Sequence, residues 1–366
     1  MKHTILHDRH VAHGAKLVDF AGWHMPIQYT GVLDEYHTVR GHMGICDVSH
    51  MGRVTVEGAG ALPFLQYLTT NNVANIEVMG SQYSMVCNTA GGIKDDIFIY
   101  RLGEQEFLVC VNASNKDKMV SWFQEHHTLQ HGALAIRDCT EEMAQLALQG
   151  PKSLQLLGEG VQENLKDLKP RQCLHTKVFD IPLLLTRTGY TGEIGCELYV
   201  PTNQAAALWD RLMEKGEALG LKPTGLGARD LLRLDMGYFL YGNDLTEDIT
   251  PVEANAEWIV GFAKDNFIGK ATLVEQRDQG TLRKCIAFEL VQKAVPRQGM
   301  RIFSDSQEIG QVTSGNLSPI LQKGIGLGYV VPDHGSVGTN ILVDIRGRRV
   351  PAVIVKLPFY KRQKSA

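Results

Sequence analysis

Two adjacent carboxylates, Asp95 and Asp96, follow two glycines and precede an apolar run in Asn88-Thr-Ala-Gly-Gly-Ile-Lys-Asp-Asp-Ile-Phe-Ile-Tyr100. Aspartate is disfavoured in strands, so a pair at the mouth of one needs a reason. Side chains alternate across a strand, which puts Asp95, Ile97 and Ile99 on one face and Asp96, Phe98 and Tyr100 on the other. Only one carboxylate can look into a given cleft, and Asp96 shares its face with polar and aromatic company. A carboxylate fixed there can steady a developing positive charge or assist a proton transfer. The competing reading is a turn after Gly91-Gly92 that the aspartates merely cap.

Two other stretches carry candidate chemistry. In Arg187-Thr-Gly-Tyr-Thr-Gly-Glu-Ile-Gly-Cys-Glu197, three glycines make a tight connection between strands, with Tyr190 and Glu197 flanking its mouth. An ordinary hairpin loop accounts for the same pattern. Gly225-Leu-Gly-Ala-Arg-Asp-Leu-Leu-Arg-Leu-Asp235 reads as a loop entering a helix, with Arg229 in the first turn, where it can hold a carboxylate or phosphate. Asp230 stands where a dinucleotide fingerprint needs its third glycine. Arg229 and Arg233, four apart, are alternatively structural partners of Asp230 or Glu253. His3, His7, His10 and His13 recur at helical spacing, but no acid or cysteine pattern completes a metal site, so they read as surface residues and no metal is expected. Asp47-Val-Ser-His50-Met51 lacks the elbow of a serine nucleophile, and Gly324-Ile-Gly-Leu-Gly328 reads as structural.

The elements that must position these residues alternate irregularly, without a βαβ period. Strands are predicted at Gly52–Val56, Ile97–Leu102, Phe107–Val111, Leu183–Arg187, Glu197–Val200, Cys285–Glu289 and Val353–Val355. Phe107–Val111 is expected to return beside the first strand as a hairpin through Gly103–Glu106. Helices are predicted at Ala61–Leu68, Lys116–Glu125, Ser153–Leu157, Gln204–Lys215 and Gly227–Met236. The clearest follows Thr202-Asn203, suited to capping, and carries apolar positions 205, 208, 209, 212 and 213 on one face. Beyond about residue 280, short strands and Gly-rich turns suit a compact all-β unit, with a boundary near Gln276–Arg283.

At 366 residues the chain is expected to hold two or three domains. Apolar content of 44%, charged content of 21% and a net charge of −3 fit a soluble globular protein with no global field for nucleic acid. A short basic stretch, Lys361-Arg362-Gln-Lys364, reads as a solvated end. Seven irregularly spaced cysteines without a CxxC pair favour reduced, packed thiols. No run approaches the ~20 apolar residues of a membrane span, and the first residues lack the pattern of a signal or transit peptide. The expectation is a cytoplasmic protein without a membrane.

Taken in order, these stretches resemble the aminomethyltransferase (T-protein) family of the glycine cleavage system. The resemblance runs through Val18-Asp-Phe-Ala-Gly-Trp23, Cys46-Asp-Val-Ser-His-Met51, Asn88 to Asp96, Gln149-Gly-Pro151, Arg187 to Glu193, and Gly225 to Asp230. Leu240-Tyr-Gly-Asn-Asp244, Thr250-Pro-Val-Glu253, Phe267-Ile-Gly-Lys270 and Thr313 to Pro319 complete it. It implies an α+β fold of three domains in a clover-leaf arrangement around a central folate channel, ending in an all-β domain that is jelly-roll or barrel-like. Residues 1–50 and 137–248 would form a split first domain and 51–136 an insert carrying the acidic site. Residues 249–280 would connect these to a C-terminal β domain at 281–366.

The implied reaction moves the methylene carbon from the aminomethyl-dihydrolipoyl arm of H-protein to tetrahydrofolate, a co-substrate. The products are 5,10-methylene-tetrahydrofolate, ammonia and the dihydrolipoyl protein. The resemblance makes Asp96 the catalytic acid group and Met51, Tyr83, Tyr100, Asn112, Tyr190, Glu197, Arg229 and Trp258 the folate-binding positions. A one-carbon unit passing from thiol to amine goes through a cationic, iminium-like species, which a fixed carboxylate stabilises better than mobile water. Glu197 would accept the pterin's N–H donors, the tyrosines would wall the ring, and Arg229 would anchor either Glu197 or the ligand's glutamate. Two positions depart from the family: Cys46, often phenylalanine, and Lys94, where an apolar residue is common. On the strand's alternation Lys94 lies on the face of Asp96 and could lower its pKa, or it could turn to solvent at a frayed end. The alternatives are a folate-dependent demethylase of a small methylated donor, or a folate-binding accessory protein of iron–sulfur or tRNA maintenance. The latter branch carries a Lys-Gly-Cys-Tyr-x-Gly-Gln segment, whose counterpart here, Lys264-Asp-Asn-Phe-Ile-Gly-Lys270, lacks the cysteine.

Overall fold

The stretch with apolar residues recurring every three to four positions folds as a helix over Thr202–Gly216, burying Ala205, Leu208, Trp209 and Leu212. The computed structural model describes residues 1–127 and 132–362. Gln363 and Lys364, the end of the basic stretch, lie outside them. Pro201, not Thr202 or Asn203, occupies the helix's N-cap. The Thr202 hydroxyl instead donates to the Glu141 carbonyl at 2.8 Å, because the preceding strand delivers the chain beside that carbonyl.

The chain divides into two compact units, one of residues 1–66, 73–83 and 97–230, the other of 67–72, 84–96 and 231–366. In the first, a six-stranded sheet runs in the order Cys173–Val178, Ile181–Thr186, Gly195–Pro201, Met143–Gln149, Met43–Asp47, Leu221–Pro223. All its pairings are antiparallel except the last, where Leu221 aligns with Met43. The strand Met43–Asp47 is buried along its whole length. The core combines Ile45, Leu146, Leu148, Leu185, Leu198 and Val200 of the sheet with the buried face of Thr202–Gly216.

A five-stranded sheet takes the order Gly80–Cys87, Ile93–Gly103, Glu106–Val111, Gly52–Glu57, Ala135–Asp138. Its first two strands run from one unit into the other. The expected hairpin is present, with Phe98 opposite Cys110 and Gly103 opposite Glu106. Ile93–Gly103 starts four residues earlier than the apolar run suggests, so both aspartates lie inside the strand. The turn before it is held by Asn88, whose Oδ1 accepts from the amides of Ala90 and Gly92 at 3.0 and 2.9 Å.

In the second unit, Lys284–Leu290, Lys323–Val330, Gln307–Ser318, Arg301–Ser304, Asn340–Ile345 and Arg348–Val355 close into a barrel in that order. Ile286, Phe288, Ile302, Val312, Val343 and Ile354 fill it. The β-rich end of the chain is therefore a barrel within a mixed α and β protein. The helix Lys270–Gln279 extends into the polar stretch read as a boundary. Among the described residues no helix is long and apolar enough to cross a membrane. All seven cysteines are buried as free thiols.

Gly92 in this unit has no room for a side chain: a Cβ there would stand 1.8 Å from the Glu247 carbonyl oxygen. Gly92→Ala is expected to cost about 1–3 kcal/mol, since backbone rather than a pliant side chain must yield. The check is the denaturant midpoint, and an unchanged midpoint refutes the close approach.

Candidate active site

Glu197 sits in the strand Gly195–Pro201, 8% exposed, and donors surround it. Its Oε2 accepts from the Thr188 hydroxyl at 2.5 Å and the Tyr100 hydroxyl at 3.3 Å, and its Oε1 from the Gln145 amide at 3.3 Å. The Tyr199 hydroxyl donates to that of Tyr100 at 3.0 Å, so a short relay ends on the carboxylate. Burial, and then the charge of Glu197, push the Tyr100 phenol well above its ordinary range and keep it a donor. A carboxylate offers about four acceptor positions, and these three donors leave one toward Oε1.

Aromatic rings continue from this acid in a row. Tyr199 meets Tyr100 edge to face at 5.4 Å, Tyr100 lies 5.4 Å from Phe98, and Phe98 lies 6.3 Å from Tyr83. Met51 packs against the same cluster. Gly52 is aligned with Val111 across two strands, so their neighbours Met51 and Asn112 leave the sheet together at one end. Met51, Tyr83, Tyr100 and Glu197 are thus brought into one aromatic and acidic surface within the first unit. Phe98, Tyr199, Gln145 and Thr188 belong to it too. Sequence reading missed all four as site residues; alternation along the strands, which pairs Glu197 with Tyr199 and Asp96 with Phe98, hints at two of them.

The loop carrying Tyr190 is tied from below. Gln149 Nε2 donates to the carbonyls of Thr188 and Cys196, both at 3.1 Å, and its Oε1 accepts from the Thr191 hydroxyl at 3.0 Å. A Cβ on Gly189 would meet that Oε1 at 2.0 Å. Arg40, paired with Glu193 at 2.8 Å, also donates to the Thr191 carbonyl. The Arg229 guanidinium then stacks over the Tyr190 ring at 4.7 Å. Among the described residues, the partners of Glu197 are Thr188, Tyr100 and Gln145, and Arg229 is not one. In place of the expected Arg229–Glu197 pair, the acid accepts from Thr188 of the adjoining loop, Tyr100 of the five-stranded sheet and Gln145 of the neighbouring strand. Arg233 binds Asp244 at 3.0 Å, while Glu253, anticipated as a partner of these arginines, pairs with Arg283 at 3.0 Å.

Two further groups hold the segment before Met51. Arg53 is fully buried, and its guanidinium donates to the carbonyls of Met51, Ser49 and Thr140 at 2.7, 2.9 and 2.7 Å. Asp47, also buried, accepts from Thr4 at 2.6 Å, His10 at 2.9 Å and the Ser49 amide at 2.9 Å. Burial alone would raise this carboxyl, but His10 and the hydroxyl donors override it and hold it at about 2. His10 is therefore not a surface residue: partners at Tyr29 and Asp47 draw it inside. A cavity of about 300 Å³ adjoins this segment, lined by Lys2, Trp23, His50, Ser114 and Lys116 among others. None of the expected site residues lines it.

In the second unit, the strand alternation is realised. Asp95 is fully buried beside Ile93 and Ile97, within the packed face and not at a frayed end, while Asp96 is half-buried. The Lys94 ammonium, largely buried, binds Glu247 at 3.2 Å and does not turn to solvent. The Tyr241 hydroxyl donates to the Ile93 carbonyl at 2.9 Å. Burial, then the charges of Asp95, Glu247 and Asp96, hold that phenol well above its usual range. Trp258 stands 65% exposed in the short helix Glu257–Ile259.

Known proteins share the architecture and much of the sequence. Residues 6–264 match the GCVT N-terminal domain and residues 283–361 the glycine cleavage T-protein C-terminal barrel domain. The chain is 43% identical over 366 residues to an aminomethyltransferase of Bacillus cereus (strain AH187), covering 100% of this chain and 99% of that one. It is 42% identical over 363 residues to an aminomethyltransferase of Desulfitobacterium hafniense (strain DSM 10664 / DCB-2), covering 99% of each. The crystal structure of the glycine cleavage system aminomethyltransferase T from Bartonella henselae superposes with a TM-score of 0.91 at 32% identity, covering 99% of both chains. The chain belongs to the glycine cleavage T-protein family. It is an enzyme, a folate-dependent aminomethyltransferase of glycine cleavage.

Proposed function

We propose that this enzyme takes the aminomethyl group from the lipoyl arm of H-protein and delivers its carbon to tetrahydrofolate, in the cytoplasm, with Asp96 as the catalytic carboxylate. The observation that carries the folate assignment is the Glu197 surface. A buried acid with one acceptor position left, flanked by Met51 and the row of Tyr83, Phe98, Tyr100 and Tyr199, suits a flat heterocycle bearing N–H donors. Tyr190, with Arg229 stacked on it, supplies a cation free of Glu197 for the ligand's carboxylate end. Asn112 and Trp258 are assigned as further contacts by the family's pattern. Asp96 would stabilise positive charge on the carbon in transit, a task for which a residue on a paired strand is better placed than one on a loop. The separate sheets built from residues 43–223 and 52–138 also support the finer domain division, with 51–136 inserted into 1–50 and 137–248.

The test is transfer from aminomethylated, lipoylated H-protein to tetrahydrofolate, set against free methylated amines and sulfonium compounds. Preference for a free donor would replace the H-protein assignment with a demethylase. Glu197→Ala is expected to weaken folate binding at least tenfold before it affects anything else, because Oε1 and Oε2 are lost as acceptors. Titration calorimetry on a variant of unchanged thermal stability measures it. Unaltered affinity would move the pterin away from Glu197.

A further inference from the structure

We propose that His3, His7 and His24 form a binding site for one borderline-soft divalent transition ion, for which Zn²⁺ is the probe. One nitrogen from each ring lies within 4.8 Å of the others. His7 Nε2 and His24 Nδ1 are already 3.0 Å apart. In a tetrahedral zinc centre, with Zn–N near 2.0–2.1 Å, neighbouring nitrogens stand about 3.3 Å apart, so these two need move only a few tenths of an ångström.

The backbone brings the three together from separate elements. Lys2 donates its amide to the Gly22 carbonyl and accepts from the His24 amide, both at 2.8 Å, which lays His3 alongside the strand Trp23–Gln28. His7 opens the helix His7–Ala12, anchored by the buried Leu6 just before it. The rings of His3 and His7 are stacked, 3.8 Å apart and 2° from parallel. Parallel stacked rings cannot both aim lone pairs at one ion, so His3, which is exposed, must turn its ring about its own side-chain bonds.

The His7–His24 hydrogen bond shares one proton between two nitrogens, and a metal ion takes that proton's place. Where His7 is the donor, its proton moves to its own Nδ1, and where His24 is, to His24 Nε2; either way His7 Nδ1 carries a hydrogen 3.6 Å from the Asp8 carboxylate. That acid then orients the ligating ring from behind, a common partner for metal-bound imidazole. Three imidazoles with an open fourth position suit Zn²⁺, Ni²⁺ or Cu²⁺ and not Mg²⁺ or Ca²⁺. His10 takes no part, being occupied by Asp47 and Tyr29. The ion would clip the first residues of the chain onto the strand Trp23–Gln28, and the proposal is independent of the folate assignments.

Calorimetric titration of the whole protein with Zn²⁺, in excess Mg²⁺, is expected to show one ion per chain. His3→Gln, His7→Gln and His24→Gln should each lose at least tenfold in affinity, and the triple variant should lose stoichiometric binding while keeping aminomethyl transfer. Co²⁺ should develop an intense visible band in the wild type and not in the triple variant. Absence of stoichiometric Zn²⁺ binding, its survival in the triple variant, or a loss below tenfold for any single variant overturns the site. The three side chains are exposed or half-exposed, so the single variants remain folded and decisive even if the triple variant does not.

Discussion

Asp96→Asn is expected to lower the rate of 5,10-methylene-tetrahydrofolate formation by about 10²-fold or more while leaving folate affinity within tenfold. The exchange keeps size and shape and removes only the charge, so it separates transition-state stabilisation from binding. The strand Ile93–Gly103 keeps the position fixed, and the nearby ammonium of Lys94 is engaged by Glu247, so it is not a free cation awaiting the lost carboxylate. Asp95→Asn is the control. Its side chain belongs to the buried face with Ile93 and Ile97, and its loss should appear in stability before turnover. Single-turnover kinetics with calorimetric folate titration decide the matter, and a fully active Asp96→Asn enzyme would remove this residue from the reaction.

Asp244→Ala should destabilise the barrel-containing unit by about 3–5 kcal/mol, the range for breaking a buried ion pair from one side. Asp244 is fully buried and Arg233 nearly so. Oδ2 accepts from Arg233 at 3.0 Å, the Leu240 amide at 2.9 Å and the Ser314 hydroxyl at 2.8 Å, and Oδ1 from the Thr313 hydroxyl at 2.6 Å. Removing the carboxylate leaves a desolvated guanidinium and three other donors without their common acceptor. The measurement is the denaturant midpoint of this unit, and a loss below about 1 kcal/mol would show that water or rearrangement replaces the acid.

What could be read from the sequence was whatever a hydrophobic period records. Thr202–Gly216 announces its buried face through 205, 208, 209 and 212, and Ala61–Leu68 matches its predicted span. Val32–Gly41 goes unseen because one of its buried residues is Glu35, which accepts from the amides of Tyr29, Gly31 and Gly225. His10, Arg53 and Gln149 are hidden for the same reason. Each is polar and buried and takes at least one hydrogen-bond partner far away in sequence, so no local pattern marks it. The start of Ile93–Gly103 was obscured by Lys94, Asp95 and Asp96 themselves. For the active site, alternation separates Asp95 from Asp96, but Tyr83, Asn112, Glu197 and Arg229 were drawn together only through a family likeness. Chain-distant pairing such as Gly52 with Val111 is what makes neighbours of Met51 and Asn112.

The three carbonyls gathered by Arg53 make one guanidinium a keystone for Ser49, Met51 and Thr140. Lysine would keep the charge but, as a point donor on a flexible stem, could not span the same fan of acceptors. Selectivity among folates could thus drift through an exchange at a position that never meets the ligand, by loosening the seat of Met51.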